Sequence, residues 1–158
     1  MADFYFKDSN LTDTAILRRS DNLIGWTIET PARWFHTERT TIKGPDREPI
    51  GFIELHDFHS NVVEIRGQSF LPHRAKETSI ISNSKEFQAS DGQTYKWKVR
   101  KGVWELLTQD GTRTPVARLE KNGNISVYPQ AMHILDEVIV TLVYMRQLKK
   151  KNDQLVVD

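Results

Sequence analysis

Three groups of side chains in this sequence have types and spacing that could do chemistry. His56, Asp57 and His59 place two imidazoles and a carboxylate within four residues, a donor set that suits zinc or iron. On an extended strand, positions 56 and 59 face opposite sides, so only a turn would bring them together. The plainer reading is a polar strand end. Asp136 and Glu137 are paired carboxylates within a strongly apolar run. A buried acid there would hold its proton at higher pH and could serve as a general acid. The alternative is that the pair complements a helix N-terminus or meets an interior Arg or Lys. Lys96, Lys98, Arg100 and Lys101 make the third group, with no acid from Gln93 to Trp104. Lys96, Lys98 and Arg100 alternate on one face of a strand. Such a row can meet phosphates on a lipid headgroup or a nucleic-acid backbone. Otherwise it is a solvated outer strand face.

Other chemistry has little support. Cysteine is absent, which excludes disulfides, cysteine–zinc sites, iron–sulfur clusters and a thiol nucleophile. Gly67-Gln68-Ser69 lacks the second glycine of a nucleophile elbow, and no glycine-rich phosphate loop occurs. His36, His73 and His133 are isolated. We therefore expect no catalytic residue, no metal and no cofactor. With 22 basic against 21 acidic residues in 158, the net charge is +1. That balance gives no chain-wide field for nucleic acid. The start of the sequence shows no charged-then-apolar signal pattern, so the expected location is the cytoplasm, with peripheral membrane contact if the basic row docks there.

Positioning these groups falls mostly to short strands. Tyr95–Arg100 alternates apolar and basic residues, the period-two pattern of a half-buried strand. Asp91-Gly92, Asp110-Gly111 and Asn122-Gly123 separate further strand-like runs, because glycine supplies the positive φ such turns need. The predicted strands are Asp3–Lys7, Thr14–Arg18, Leu23–Thr30, Arg39–Lys43, Ile50–His56, Val62–Arg66, Glu77–Ser82, Glu86–Ala89, Tyr95–Arg100, Val103–Thr108, Pro115–Glu120 and Asn124–Tyr128. Trp26 and Trp97 fall on apolar faces. Trp34-Phe35 sits in a loop-like stretch, where an exposed pair would make a membrane or protein contact.

The pattern breaks at the C-terminus. From Ile134 to Leu148, apolar residues at about 100° per residue cover nearly the whole circumference of a helix. The stretch is too short to span a bilayer, which needs about 20 apolar residues. Lys149-Lys150-Lys151 suits its C-terminal end and also reads as a second basic run. A helix apolar all round belongs inside something. The expected solution is a helix threaded through a closed barrel, whose closure would remove exposed edges.

Residues 87–98, FQASDGQTYKWK, with Leu106-Leu107-Thr108, Pro115–Arg118 and Ile134–Thr141, resemble a family of uncharacterised fungal proteins. That family is similar to the tubby-like superfamily, with LURP-one-related proteins and phospholipid scramblases as relatives. The resemblance covers about residues 84 to 148. It implies a mainly β fold, a closed twelve-stranded antiparallel barrel around a central hydrophobic C-terminal helix, with residues 1–150 as one domain and 151–158 as a polar tail. It also implies functions that are mostly non-enzymatic, since tubby proteins bind phosphoinositides at a basic surface.

The expected function is a non-enzymatic binding module that docks on anionic lipid through Lys96, Lys98, Arg100 and Lys101. One alternative is a protein-interaction or structural domain with an unidentified protein partner. Another is an enzyme or small-molecule carrier with a pocket at the barrel rim.

Overall fold

The computed structural model describes residues 1–31, 37–74 and 84–157. Its strands are β1 (Ala2–Phe6), β2 (Thr14–Arg18), β3 (Ile24–Glu29), β4 (Thr37–Lys43), β5 (Pro49–His56), β6 (Val62–Ile65) and β7 (Gln68–Ser69). They continue as β8 (Lys85–Gln88), β9 (Thr94–Arg100), β10 (Val103–Thr108), β11 (Pro115–Leu119) and β12 (Asn124–Val127). A 3-10 helix over Pro129–Ile134 leads into one α-helix, α1 (Leu135–Val157). The expected strand Glu77–Ser82 lies outside the described residues, and the short β7 takes the seventh place.

The twelve strands form one antiparallel sheet in the order β7-β6-β5-β4-β3-β2-β1-β12-β11-β10-β9-β8. Two meanders, β1 to β7 and β8 to β12, meet where β1 pairs with β12, Phe4 opposite Ile125. The sheet is not closed into a barrel, which corrects the closed twelve-stranded barrel expected from the sequence. β7 and β8 are its two edges and do not pair with each other. The physical reason lies in their length and neighbours. β7 is two residues long, and Pro72, which has no N–H to give, follows soon after. Along the outer side of β8 the described chain makes a single bridge, His73 with Glu86.

An open sheet still encloses the helix. Val138, Ile139, Val140, Leu142, Val143, Tyr144 and Met145 are buried on every side of α1. They pack on inward residues of the strands, including Ile16, Ile28, Ile42, Ile53, Val63, Trp97, Leu106 and Ile125. Trp26 and Trp97 are in this core as expected; Trp34-Phe35 lies outside the described residues. The helix runs nine residues past the apolar stretch, to Val157. Lys149 pairs with Asp153 one turn on, and Lys151 with Asp57 at the β5–β6 turn, so two of the three lysines are committed to ion pairs.

The few polar side chains of α1 fix its register in the sheet. Trp97 Nε1–H donates to Thr141 Oγ1 at 2.8 Å, and that hydroxyl donates to the Glu137 carbonyl. Gln147 Nε2–H donates to the Leu11 carbonyl at 2.7 Å and to Thr40 Oγ1. Asn61 Nδ2–H donates to the Tyr144 hydroxyl at 3.2 Å. Because these groups are removed from water, an unmade bond is costly in a way that a slipped apolar contact is not.

Thr141→Val keeps the volume but leaves the Trp97 indole N–H without its acceptor. The expected cost is about 1–3 kcal/mol of unfolding free energy, the penalty for a buried unsatisfied donor. Urea denaturation should show it, with Thr141→Ser restoring most of the loss. A Val variant as stable as the parent would mean that this bond adds nothing.

Candidate functional site

Antiparallel hairpins alternate ends, so the sheet has two rims that can be told apart. One rim carries the first turn of α1 with the turns at 66–67 and 89–93; Asp136 pairs with Arg66, and Glu137 meets Ser90 there. The opposite rim carries the last turns of α1 with the turns at 101–102 and 121–123, as the Lys151–Asp57 pair shows for that end of the helix.

The basic row falls into two parts. Lys96 and Lys98 lie on the outer face of β9, where each stands opposite an acid in register without an ion pair among the described residues: Lys96 opposite Glu86 of β8, and Lys98 opposite Glu105 of β10. Glu105 in turn faces Arg118 of β11. Charges alternate across this face, which is how cross-strand pairs stabilise a sheet. Arg39, seven strands away on β4, pairs with Glu54 at 3.0 Å and does not join the row. Arg18 pairs with Asp21, while Arg19 lies over the Tyr5 ring and donates to Asn124.

Arg100 and Lys101 belong to the opposite rim. Lys101 and Gly102 both have positive φ, 53° and 79°, and close a two-residue turn between β9 and β10. A Cβ on Gly102 would come within 3.0 Å of the Lys121 side chain, so that lysine runs across the turn. The Phe6 amide donates to the Gly123 carbonyl, which sets Lys7 beside the β11–β12 turn that carries Lys121. Arg146 of α1 stands over the Phe6 ring at 5.2 Å. It is half-buried, and desolvation makes its guanidinium less basic than usual. Lys7, Arg100, Lys101 and Lys121 are exposed. Among the described residues, none of these five cations makes an ion pair. From the sequence, Arg100 and Lys101 belong to the basic row and Lys7 could extend it if neighbouring strands align; Lys121 and Arg146 come from two further elements and carry no such signal.

The two carboxylates are separated by their partners. Asp136 accepts Trp26 Nε1–H at 2.9 Å and pairs with Arg66. Glu137 is buried and accepts both the Ser90 amide, at 2.6 Å, and the Ser90 hydroxyl, at 2.8 Å. Both acids sit in the first turn of α1, where the helix dipole favours them. These are anchoring roles and leave no free acid for proton transfer.

The histidines are placed as follows. The chain turns after His56, so His56 and His59 do come together, ring centroids 6.0 Å apart. Both nitrogens of His56 are engaged, Nδ1 with Thr37 Oγ1 at 3.0 Å and Nε2 with Glu54 at 2.9 Å. Among the described residues no group of three or more His, Cys, Asp or Glu could hold a metal. His133, isolated in sequence, meets Asp91 at 2.8 Å, and the Tyr95 hydroxyl donates to the same carboxylate at 2.6 Å. His36 lies outside the described residues.

The first rim also holds a pocket of about 790 Å³ between β1, β3, the β4–β5 turn and the start of α1. Its floor is apolar, with Phe4 and Trp26 packed edge-to-face at 5.0 Å. It lies at the other end of the molecule from His56 and His59, the residues around which the sequence suggested a rim pocket.

These features define a mainly β protein: a twelve-stranded open antiparallel sheet wrapped on one buried C-terminal helix, with cations gathered at one rim and an apolar pocket at the other. The chain belongs to DUF6593, a family of unknown function, which it matches over residues 9–151. No curated protein and no solved structure matches it. Among the described residues, no helix is long and apolar enough to cross a membrane.

The Asp91 cluster ties the β8–β9 turn to the 3-10 helix and should respond to acid. Burial pushes the Asp91 carboxyl up, but hydrogen bonds from Tyr95, His133 and the Gln93 amide outweigh it, so Asp91 titrates below the usual carboxylate range. A carboxyl more acidic when folded adds stability above its unfolded pKa of about 3.9 and loses it as pH falls toward the folded value. Denaturation midpoints measured down from about pH 5 should therefore fall more steeply in the parent than in Asp91→Asn. Parallel curves would remove Asp91 from the acid response.

Proposed function

We propose that this chain is a non-enzymatic binding module that docks on an anionic membrane surface through the rim formed by Lys7, Arg100, Lys101, Lys121 and Arg146. One observation carries the reading: five cations from four parts of the chain converge at one end, and none is neutralised by a carboxylate among the described residues. Each cation near an anionic bilayer contributes about 1 kcal/mol. The reading keeps the direction of the expected resemblance of residues 84–148 to a family similar to the tubby-like superfamily, some of whose members bind phosphoinositides. Relative to the docking row expected from the sequence, Arg100 and Lys101 remain. Lys96 and Lys98 are given less weight in this reading, because Glu86 and Glu105 stand opposite them in register.

The test is co-sedimentation with vesicles containing phosphatidylserine or phosphatidylinositol bisphosphate, against neutral vesicles. Binding should be confined to the anionic vesicles and fade as salt rises. Lys101→Asn, which keeps a residue that tolerates the left-handed turn, combined with Lys121→Gln removes two charges. The expected loss is about thirtyfold in partitioning, equal to about 2 kcal/mol. Lys96→Gln with Lys98→Gln should change binding far less. Equal losses from both pairs would return the site to the strand face. No binding to anionic vesicles at low salt would remove the lipid reading and leave a protein-interaction domain.

A further inference from the structure

We propose that the pocket at the first rim is a second binding site, for a small amphipath with an alkyl body and a carboxylate head, such as a medium-chain fatty acid. The cavity, about 790 Å³, lies within the roughly 300–1,000 Å³ of small-molecule sites, which are apolar clefts with a few placed polar groups. Phe4, Trp26, Ile50 and Leu135 form its inner wall. Trp26 is held in plane by its bond to Asp136, so the floor is formed before any ligand arrives.

The mouth supplies an independent observation. Five large hydrophobic residues are exposed among those described: Met1, Leu23, Ile24, Phe58 and Met132. Three of them, Met1, Ile24 and Met132, line this one pocket. Large apolar groups left in water around a cleft mark a surface that something covers.

Arg66 selects the head group. It stands in the left-handed region, φ 49°, ahead of Gly67 at 81°, in a two-residue turn where Asn or Gly would be unstrained. An Arg here costs the fold about 1–3 kcal/mol, so what the position gains is its side chain. That side chain reaches across the mouth to Asp136. The pair is partly solvated, with the Arg66 side chain 64% exposed, and such pairs contribute only about 0–1 kcal/mol. Asp136 keeps the Trp26 indole and the helix N-terminus when Arg66 leaves. The other acids of the rim have donors of their own: Asp3 takes the Ser126 hydroxyl, and Glu48 takes the Asp46 amide. Two other arginines line the pocket: Arg18 is paired with Asp21, and Arg19 lies over Tyr5 and donates to Asn124. Arg66 is the one whose internal partner, Asp136, keeps other donors without it, and a ligand carboxylate is the bidentate group that fits it.

The experiment is calorimetric titration of the full chain with laurate below its micellar concentration, beside dodecanol, which has the same chain and no charge. Laurate should bind one to one, and more tightly than dodecanol. Arg66→Asn, which suits the turn, should weaken laurate at least tenfold and leave dodecanol unchanged. Ile24→Trp, which fills the mouth, should remove both. The Lys101→Asn, Lys121→Gln protein should bind laurate like the parent, since those residues lie at the opposite rim. Thermal melts would confirm folding, with Arg66→Lys as a charge-keeping control. Failure of both ligands to bind the parent overturns the site. Binding of both that Arg66→Asn does not alter overturns the carboxylate assignment.

Discussion

A helix with no polar face is the constraint on which this structure depends. From Val138 to Met145 every side of α1 is buried, so no two-layer packing would suffice. Only a surface that curls fully around the helix can cover it. A long antiparallel meander does this at little topological cost, since each strand needs only its sequence neighbour and a tight turn. One non-local pairing, β1 with β12, joins the two meanders. Enclosure and closure are separate matters, however. The helix needs cover from inward side chains, whereas closure needs a hydrogen-bonded ladder between the last two edges. The protein achieves the first without the second.

The same distinction explains what the sequence disclosed. Alternation and glycine turns are local signals, and eleven of the twelve predicted strands correspond to observed ones within a residue or two. The all-round apolar run from Ile134 to Leu148 is equally local and marked the buried helix. Edge pairing is not local. Pro72 near β7 disfavours a ladder there, but Gln68-Ser69 is too short to read as a strand, so the sequence does not mark it as an edge. Register is invisible for the same reason. The absence of acids from Gln93 to Trp104 made β9 look like a cationic row, but the acids that matter, Glu86 and Glu105, lie on the neighbouring strands.

Candidate chemistry was legible by residue type and not by partner. Asp136 and Glu137 were visible as a pair, and their place in the first turn of α1 fits the helix N-terminus reading of them, whereas Arg66 is an exposed turn residue and not the interior Arg or Lys also expected. The split between Arg66 and Trp26 for one acid and Ser90 for the other depends on turns more than forty residues away. His133 reads as a lone histidine, yet it completes a cluster with Asp91 and Tyr95. The pocket had no sequence signature at all, because its walls are ordinary core residues of β1, β3 and β5 that happen to end at a rim.

Turn chemistry connects the two rims. Among the described residues, five non-glycine residues hold positive φ: Asn22, Arg47, Arg66, Lys101 and Arg113. Four of them are cationic, although Asn and Asp are the side chains best suited to that conformation. A turn selected for folding alone would use the cheaper residue. Arg47 reaches Glu29 and Arg66 reaches Asp136, partly solvated pairs that return at most part of the strain. Lys101 has no such acid among the described residues, and Gly102 beside it leaves room for Lys121 to lie across the turn. Arg113, at the β10–β11 turn, shares that lack of an acid partner among the described residues, so what sets Lys101 apart is its place beside Lys121 and Arg100 at the cationic rim. The grouping of cations around Lys101 is the physical ground for placing an external anion there, and the partial solvation of the Arg66–Asp136 pair is the ground for treating Arg66 as a cation whose internal partner can be exchanged.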